Sequence, residues 1–243
     1  MDLAIDIGNS FHKAALFSEE GDMVYYKCFK NITINNVMEF FDFFKIERSI
    51  FSSVGKEYDE IKKYLQSKTH YFSFSYNSKL PISLEYDNPQ TLGLDRIANA
   101  VAAFSNFPGY NIVSIQAGSC LVFDFITKEG KYLGGSISPG IEMRFKALHE
   151  FTNRLPLLSK KEINYFIGHS TQQSIKSGVI NGVIYEINGF ISNYKTNYSD
   201  LKIVISGGDS DYLQNSIKNT IFVGSSFILC GLHKILKFNV ENN

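Results

Sequence analysis

The segment Leu3-Ala4-Ile5-Asp6-Ile7-Gly8-Asn9-Ser10 decides how the rest of the chain is read. Leu3 to Ile7 is an apolar run broken only by Asp6, which predicts a buried strand, and Gly8-Asn9-Ser10 turns the chain. A second run, Ala14 to Phe17, follows, and Glu19-Glu20-Gly21-Asp22 leads into Met23 to Phe29. Three strands in a meander open the molecule. A strand that carries Asp6 near its end delivers a carboxylate to the tip of a sheet, and the glycine turn beyond it exposes backbone N–H groups. Such a turn can hold a phosphate, while the carboxylate holds a metal directly or through water. The same residues also read as an ordinary β-turn.

Working outward, Val37, Phe40, Phe41 and Phe44 fall at helical spacing ahead of a strand from Ile50 to Val54. Ile61, Tyr64 and Leu65 mark another helix, and Tyr71 to Phe74 a short strand. Ile97, Ala100, Val101 and Phe104 predict a helix that starts close to Asp95 and stops at Asn106-Phe107-Pro108-Gly109. The pattern then begins again with strands Asn111 to Ile115, Leu121 to Ile126 and Tyr132 to Gly135. Two similar halves are implied, residues 1–109 and 110–243. Helices from about Pro139 to Phe151, at the Ser159 to Glu162 capping box, and from Thr171 to about Tyr194 follow. Gly178 and Gly182 in the last of these fit close helix packing. Strand Leu201 to Ser206 and helix Ser225 to Leu236 complete the order.

Length agrees with that division, since 243 residues exceed the roughly 100 to 150 typical of one domain. Lys plus Arg number 24 and Asp plus Glu number 24, so no global field attracts a polyanion and nucleic acid is not the expected partner. Hydrophobic residues make up 44% of the chain, which excludes a disordered class. Cys28, Cys120 and Cys230 form no CxxC pair, which argues against a disulfide framework or zinc site and fits a reducing cytoplasm. Asp2 and Asp6 interrupt the first apolar run, unlike a signal peptide, and no run is long enough to span a membrane. A cytoplasmic protein is expected.

A turn related to the first occurs at Gln116-Ala117-Gly118-Ser119, again after an apolar strand and again opening a meander. A third site, Gly93-Leu94-Asp95-Arg96, puts an acid and a guanidinium at the start of a helix. Asp95 reads there as an N-cap or as a base, because a carboxylate kept ionised by a neighbouring Arg can take a proton from an alcohol. Ser206-Gly207-Gly208-Asp209 ends a strand with two glycines that would let backbone approach a flat ligand. Thr171 reads as an N-cap or a substrate contact. The five histidines lack metal-ligand spacing, with His12 set apart by its loop. No P-loop and no GxSxG elbow is present.

Together with Tyr86-Asp87-Asn88-Pro89, Asp124, Gly134-Gly135, Pro139-Gly140 and Leu155-Pro156, these motifs occur in an order that resembles type III pantothenate kinases along nearly the whole chain. The resemblance implies an α/β fold of the acetate and sugar kinase, Hsp70 and actin superfamily, with two ribonuclease-H-like lobes (the actin-like ATPase fold), each a mixed five-stranded sheet flanked by helices. It implies ATP-dependent phosphorylation of pantothenate to 4'-phosphopantothenate, which opens coenzyme A synthesis. Residue by residue, Asp95 is the general base. Tyr86, Gly93, Leu94, Asp95, Arg96 and Thr171 contact pantothenate. Asp6, Ile7, Gly8, Asn9, Ser10, Phe11, His12 and Lys13 form the first phosphate loop, with Asp6 near a divalent cation (Mg2+), and Ser119 touches ATP from the second. A homodimer and a monovalent cation, K+ or NH4+, are family traits.

The chain departs from the pattern at Gln116, where the family has an aspartate associated with the monovalent cation. Removing a full charge about 4 Å from a cation forfeits roughly 1 to 4 kcal/mol, depending on the local dielectric. Phe11-His12 replaces the more polar residues usual after the first turn. The alternative reading that Gln116 raises is a binding or regulatory protein with the kinase fold and weak catalysis. Another phosphotransferase of the superfamily is a third, which the Tyr86 to Arg96 block argues against.

Overall fold

The opening meander comprises β1 (Asp2–Ile7), buried at every position, β2 (His12–Phe17), buried at all but Lys13, and the edge strand β3 (Met23–Phe29), buried only at Phe29. The computed structural model describes residues 1–53 and 58–241. Next come α1 (Ile34–Phe43), β4 (Arg48–Ser53), α2 (Asp59–Lys68) and β5 (His70–Ser73). Val54, the expected end of β4, lies outside the described residues. Thr33 starts α1 with a capping box, its hydroxyl accepting from the Asn36 N–H while the Asn36 side chain accepts from the Thr33 N–H. Val37 and Phe40 are buried, with Phe41 and Phe44 packed at the edge of the same core of Leu3, Ile5, Leu16, Ile61 and Leu65.

This first sheet has the order β3-β2-β1-β4-β5, with β1 antiparallel to β2 and parallel to β4. The register puts Asp6 opposite Lys13 on one side and Ser52 on the other, so these three side chains share a face. Beyond it lie β6 (Ser83–Leu84), a 3-10 turn at Pro89–Thr91 and α3 (Leu94–Asn106), whose residues Arg96 to Ala103 are all buried.

The second meander, β7 (Asn111–Ala117), β8 (Cys120–Ile126) and β9 (Lys131–Pro139), is followed by α4 (Ile141–Glu150), α5 (Thr171–Asn197), β10 (Leu201–Ser206), α6 (Ser210–Leu213), β11 (Ile221–Phe222) and α7 (Phe227–Glu241). The order β9-β8-β7-β10-β11 repeats that of the first sheet strand for strand, which establishes the duplicated ribonuclease-H-like plan. The ladder holds six strands and not the five expected, because β6 pairs in parallel with the start of β9. Two residues are too short a run to register as a strand from sequence.

Two further expectations are corrected. The Ser159 to Glu162 box starts no helix, because its backbone is drawn into tertiary bonds: the Lys160 N–H donates to Glu142 and the Lys161 carbonyl accepts from the Tyr212 hydroxyl. Gly178 and Gly182 take part in no close packing within the chain, since an added Cβ would meet nothing within 4 Å at either. The chain divides into one unit of Met1–Pro108, Thr127–Leu133 and Ser226–Asn243 and another of Gly109–Ile126 and Gly134–Ser225. In this division α7 packs with the first unit.

The reason is local chemistry on α7. A Cβ at Gly231 would lie 1.8 Å from the Ala98 carbonyl oxygen, so only glycine lets α7 press onto α3. His233 stacks on Phe17 at 4.2 Å and contacts the Asp2 carboxylate at 3.0 Å, which also receives two bonds from Arg48. Burial works to raise the proton affinity of Asp2, but the bonds from His233 and Arg48 prevail and hold the carboxyl below its ordinary range.

Candidate active site

Within the first unit, β1 carries Asp6 to the end of the sheet, where its carboxylate is 4% exposed. Burial, the largest cause, raises its pKa, Lys13 across the ladder lowers it and Asp95 raises it, for a net value of about 7. Asp6, Lys13 and Asp95 are therefore gathered into one electrostatic neighbourhood. Gly8 follows, where a Cβ would come 2.9 Å from the Phe11 carbonyl and 3.6 Å from Asp6 Oδ2, so glycine keeps the turn tight beside the acid.

Asp95 reaches this neighbourhood from α3. Gly93, and not Asp95, is the N-cap of that helix. Asp95 sits in the first turn, where a negative charge is favoured by the helix dipole. Its Oδ1 folds back so far that a Cβ on Gly93 would lie 2.4 Å from it. The glycine thus makes room for the carboxylate.

Arg96 is buried one residue on, its guanidinium 6.0 Å from the centre of the Tyr132 ring. Tyr86 tilts against the same ring at 6.2 Å. Tyr132 thereby supports two residues expected to touch substrate, and the β6–β9 ladder fixes the approach, with the Glu85 N–H donating to the Tyr132 carbonyl at 2.9 Å. Sequence reasoning places Tyr132 only in a strand and misses this role. Its one signal is a large aromatic at a fully buried strand position next to a turn.

His12 is spent elsewhere. The Ile32 N–H donates to its Nδ1 at 3.0 Å, so the proton stays on Nε2, which faces the Tyr58 hydroxyl at 3.4 Å. The ring meets Tyr58 edge-on, and burial lowers its pKa. The imidazole is buried and hydrogen-bonded, while Phe11 beside it is 52% exposed.

Gln116, Ser119 and Thr171 belong to the second unit. The Ala117-Gly118-Ser119 turn is gripped by two glycines: a Cβ at Gly140 would lie 2.0 Å from the Gly118 oxygen, and one at Gly207 (φ +103) 2.2 Å from the Ala117 oxygen. Ser119 is exposed at the tip. Gln116 Nε2 donates to Asp124 Oδ2 at 3.5 Å, so the amide turns its nitrogen to that carboxylate. Ser170, and not Thr171, caps α5, leaving Thr171 exposed at the first helical position.

Among the described residues no group of three or more His, Cys, Asp or Glu is arranged to hold a metal. One buried carboxylate, Asp6, fits a divalent cation carried mainly by nucleotide phosphates and water, as Mg2+ prefers. Such a cation would also favour the ionised form that burial resists. No helix among the described residues is long and apolar enough to cross a membrane.

The strand plan is that of the actin-like ATPase fold, with an acid at the end of β1 and a second acid in the first turn of α3 of the same unit. A family profile described as type III pantothenate kinase matches residues 2–193. A type III pantothenate kinase of Christiangramia forsetii is 42% identical over 98% of this chain and 99% of its own, and one of Flavobacterium johnsoniae 36% over 100% of both. An activator of the 2-hydroxyisocaproyl-CoA dehydratase from Clostridium difficile, solved with bound ADPNP, shares the fold at a TM-score of 0.55 and 12% identity, covering 99% of this chain and 96% of its own. The chain belongs to the type III pantothenate kinase family.

Proposed function

We propose that this chain transfers the terminal phosphoryl group of ATP to the primary alcohol of pantothenate, the first step of coenzyme A synthesis. The observation that carries the reading is the field shared by Asp6 and Asp95 in one unit. Asp95 accepts the alcohol proton as the new O–P bond forms and the bond to ADP breaks. Tyr86, Gly93, Leu94 and Arg96 hold the substrate, with Thr171 adding a contact. The turn from Asp6 to Lys13, without the His12 ring, receives the phosphates of ATP with a divalent cation, and Ser119 meets ATP from the second turn. Each unit forms one lobe, with α7 in the first.

Two copies associate through the second unit, where Phe151, Phe166 and Ile167 are 87%, 73% and 58% exposed. The contact of Gln116 with Asp124 makes turnover independent of K+. The test is pantothenate-dependent ADP formation by the purified chain with Mg2+ and ATP. Turnover with 4'-phosphopantothenate as product supports the reading. Ligand binding without turnover overturns it in favour of a regulatory protein.

A further inference from the structure

The segment between α4 and α5 has no regular structure, yet Lys160 within it is held on three sides. Its N–H donates to Glu142 on α4 at 3.2 Å, its ammonium lies 5.8 Å from the centre of the Tyr212 ring, and the same ammonium pairs with the Asp209 carboxylate. Irregular chain does not hold a long cationic side chain this way without tertiary bonds to offset the lost rotamer freedom.

Asp209 is the informative partner. It stands where α6 begins, but its side chain makes no capping bond there. It is 7% exposed, and its backbone N–H donates at 2.9 Å to the Ala117 carbonyl, the first residue of the second glycine turn. Gly207 sits against the same residue, with Ala117 N, C and O all within 2.9 Å of where its Cβ would be. The 207–209 strand-to-helix turn is therefore seated directly on the turn expected to receive ATP. A buried carboxylate at that seat, left unpaired, would repel an incoming triphosphate and cost desolvation energy of its own. Both effects are cancelled by one ammonium.

Building on the function proposed above, we infer that Lys160 is a positioning residue for the nucleotide: it neutralises Asp209 and so keeps the Gly207-Gly208-Asp209 turn seated on Ala117 and receptive to phosphate. Lys160 acts through Asp209 and not by touching the reacting atoms. Its loss therefore weakens ATP binding and leaves the chemical step and pantothenate binding nearly untouched. The deficit is electrostatic, so removing the charge of Asp209 repairs it.

The experiment compares the native chain, Lys160→Met, and the double variant Lys160→Met with Asp209→Asn. Binding of a non-hydrolysable ATP analogue is measured by calorimetry and turnover by steady-state kinetics. Lys160→Met is expected to weaken analogue binding and raise KM for ATP about tenfold, with kcat and KM for pantothenate within about twofold. The double variant is expected to recover to within about threefold of native. Unchanged analogue affinity in Lys160→Met, or a double variant as weak as the single one, overturns the inference. Because the calorimetric arm needs no turnover, a native chain that binds the analogue but phosphorylates nothing would sink the proposed function and still decide the role of Lys160.

Discussion

Asp6 shares its electrostatic field with Asp95. Burial desolvates the Asp6 carboxylate, Asp95 adds a second negative charge, Lys13 pulls the other way, and Asp6 titrates at about 7. A strand and a helix that are distant in sequence thus converge on one pair of acids. Two carboxylates held this close, one of them buried, are costly unless a cation or a proton offsets a charge.

That cost sets a pH dependence. Asp6 has a folded-state pKa raised from 3.8 to about 7, so the unfolded chain ionises first and stability falls as pH rises between those values, then levels off. The span corresponds to on the order of 4 kcal/mol. Thermal melts of Asp6→Asn are expected to show a gain in Tm that is larger at pH 8 than at pH 5, together with loss of kinase activity. A Tm gain independent of pH would show that Asp6 is not the titrating group.

Tyr132 joins Arg96 and Tyr86 through ring contacts worth roughly 0.5 to 1.5 kcal/mol each. Tyr132→Leu is expected to raise KM for pantothenate about tenfold with a smaller change for ATP, and Tyr132→Phe, which keeps the ring, to recover most of the loss. Equal effects on both substrates would mean that the ring supports the fold and not the substrate contacts.

Gln116 donates to the Asp124 carboxylate, so Gln116→Asp would set two carboxylates against each other about where the amide bond now lies. The variant is expected to turn over slowly in Na+ and to be restored by K+, whereas the native chain gives the same rate in both. Rates measured across a K+ titration decide it, and a native chain that depends on K+ would contradict the reading of Gln116.

What the sequence makes legible is what local pattern controls. The Asp6 to Ser10 turn, the Gly93 to Arg96 helix start and the repeated meander follow from short-range apolar spacing and glycine position. Asp2 and His233 were not legible as partners, because α7 must return to β1 before their side chains meet. Tyr132 and Lys160 escaped for the same reason: one is an aromatic in a strand and the other a lysine in irregular chain, and only tertiary contacts give either a role. The place of His12 in a polar turn is visible in sequence, while the Ile32 N–H that claims its ring is not.

The most direct test of the paired acids is steady-state turnover of Asp95→Asn with pantothenate and saturating Mg2+ and ATP, alongside a circular dichroism spectrum. Loss of general-base catalysis is expected to lower kcat by roughly 10²- to 10⁴-fold with a native spectrum. Turnover close to native in a folded Asp95→Asn chain would contradict the assignment of the base and, with it, the convergence of Asp6 and Asp95 on one substrate.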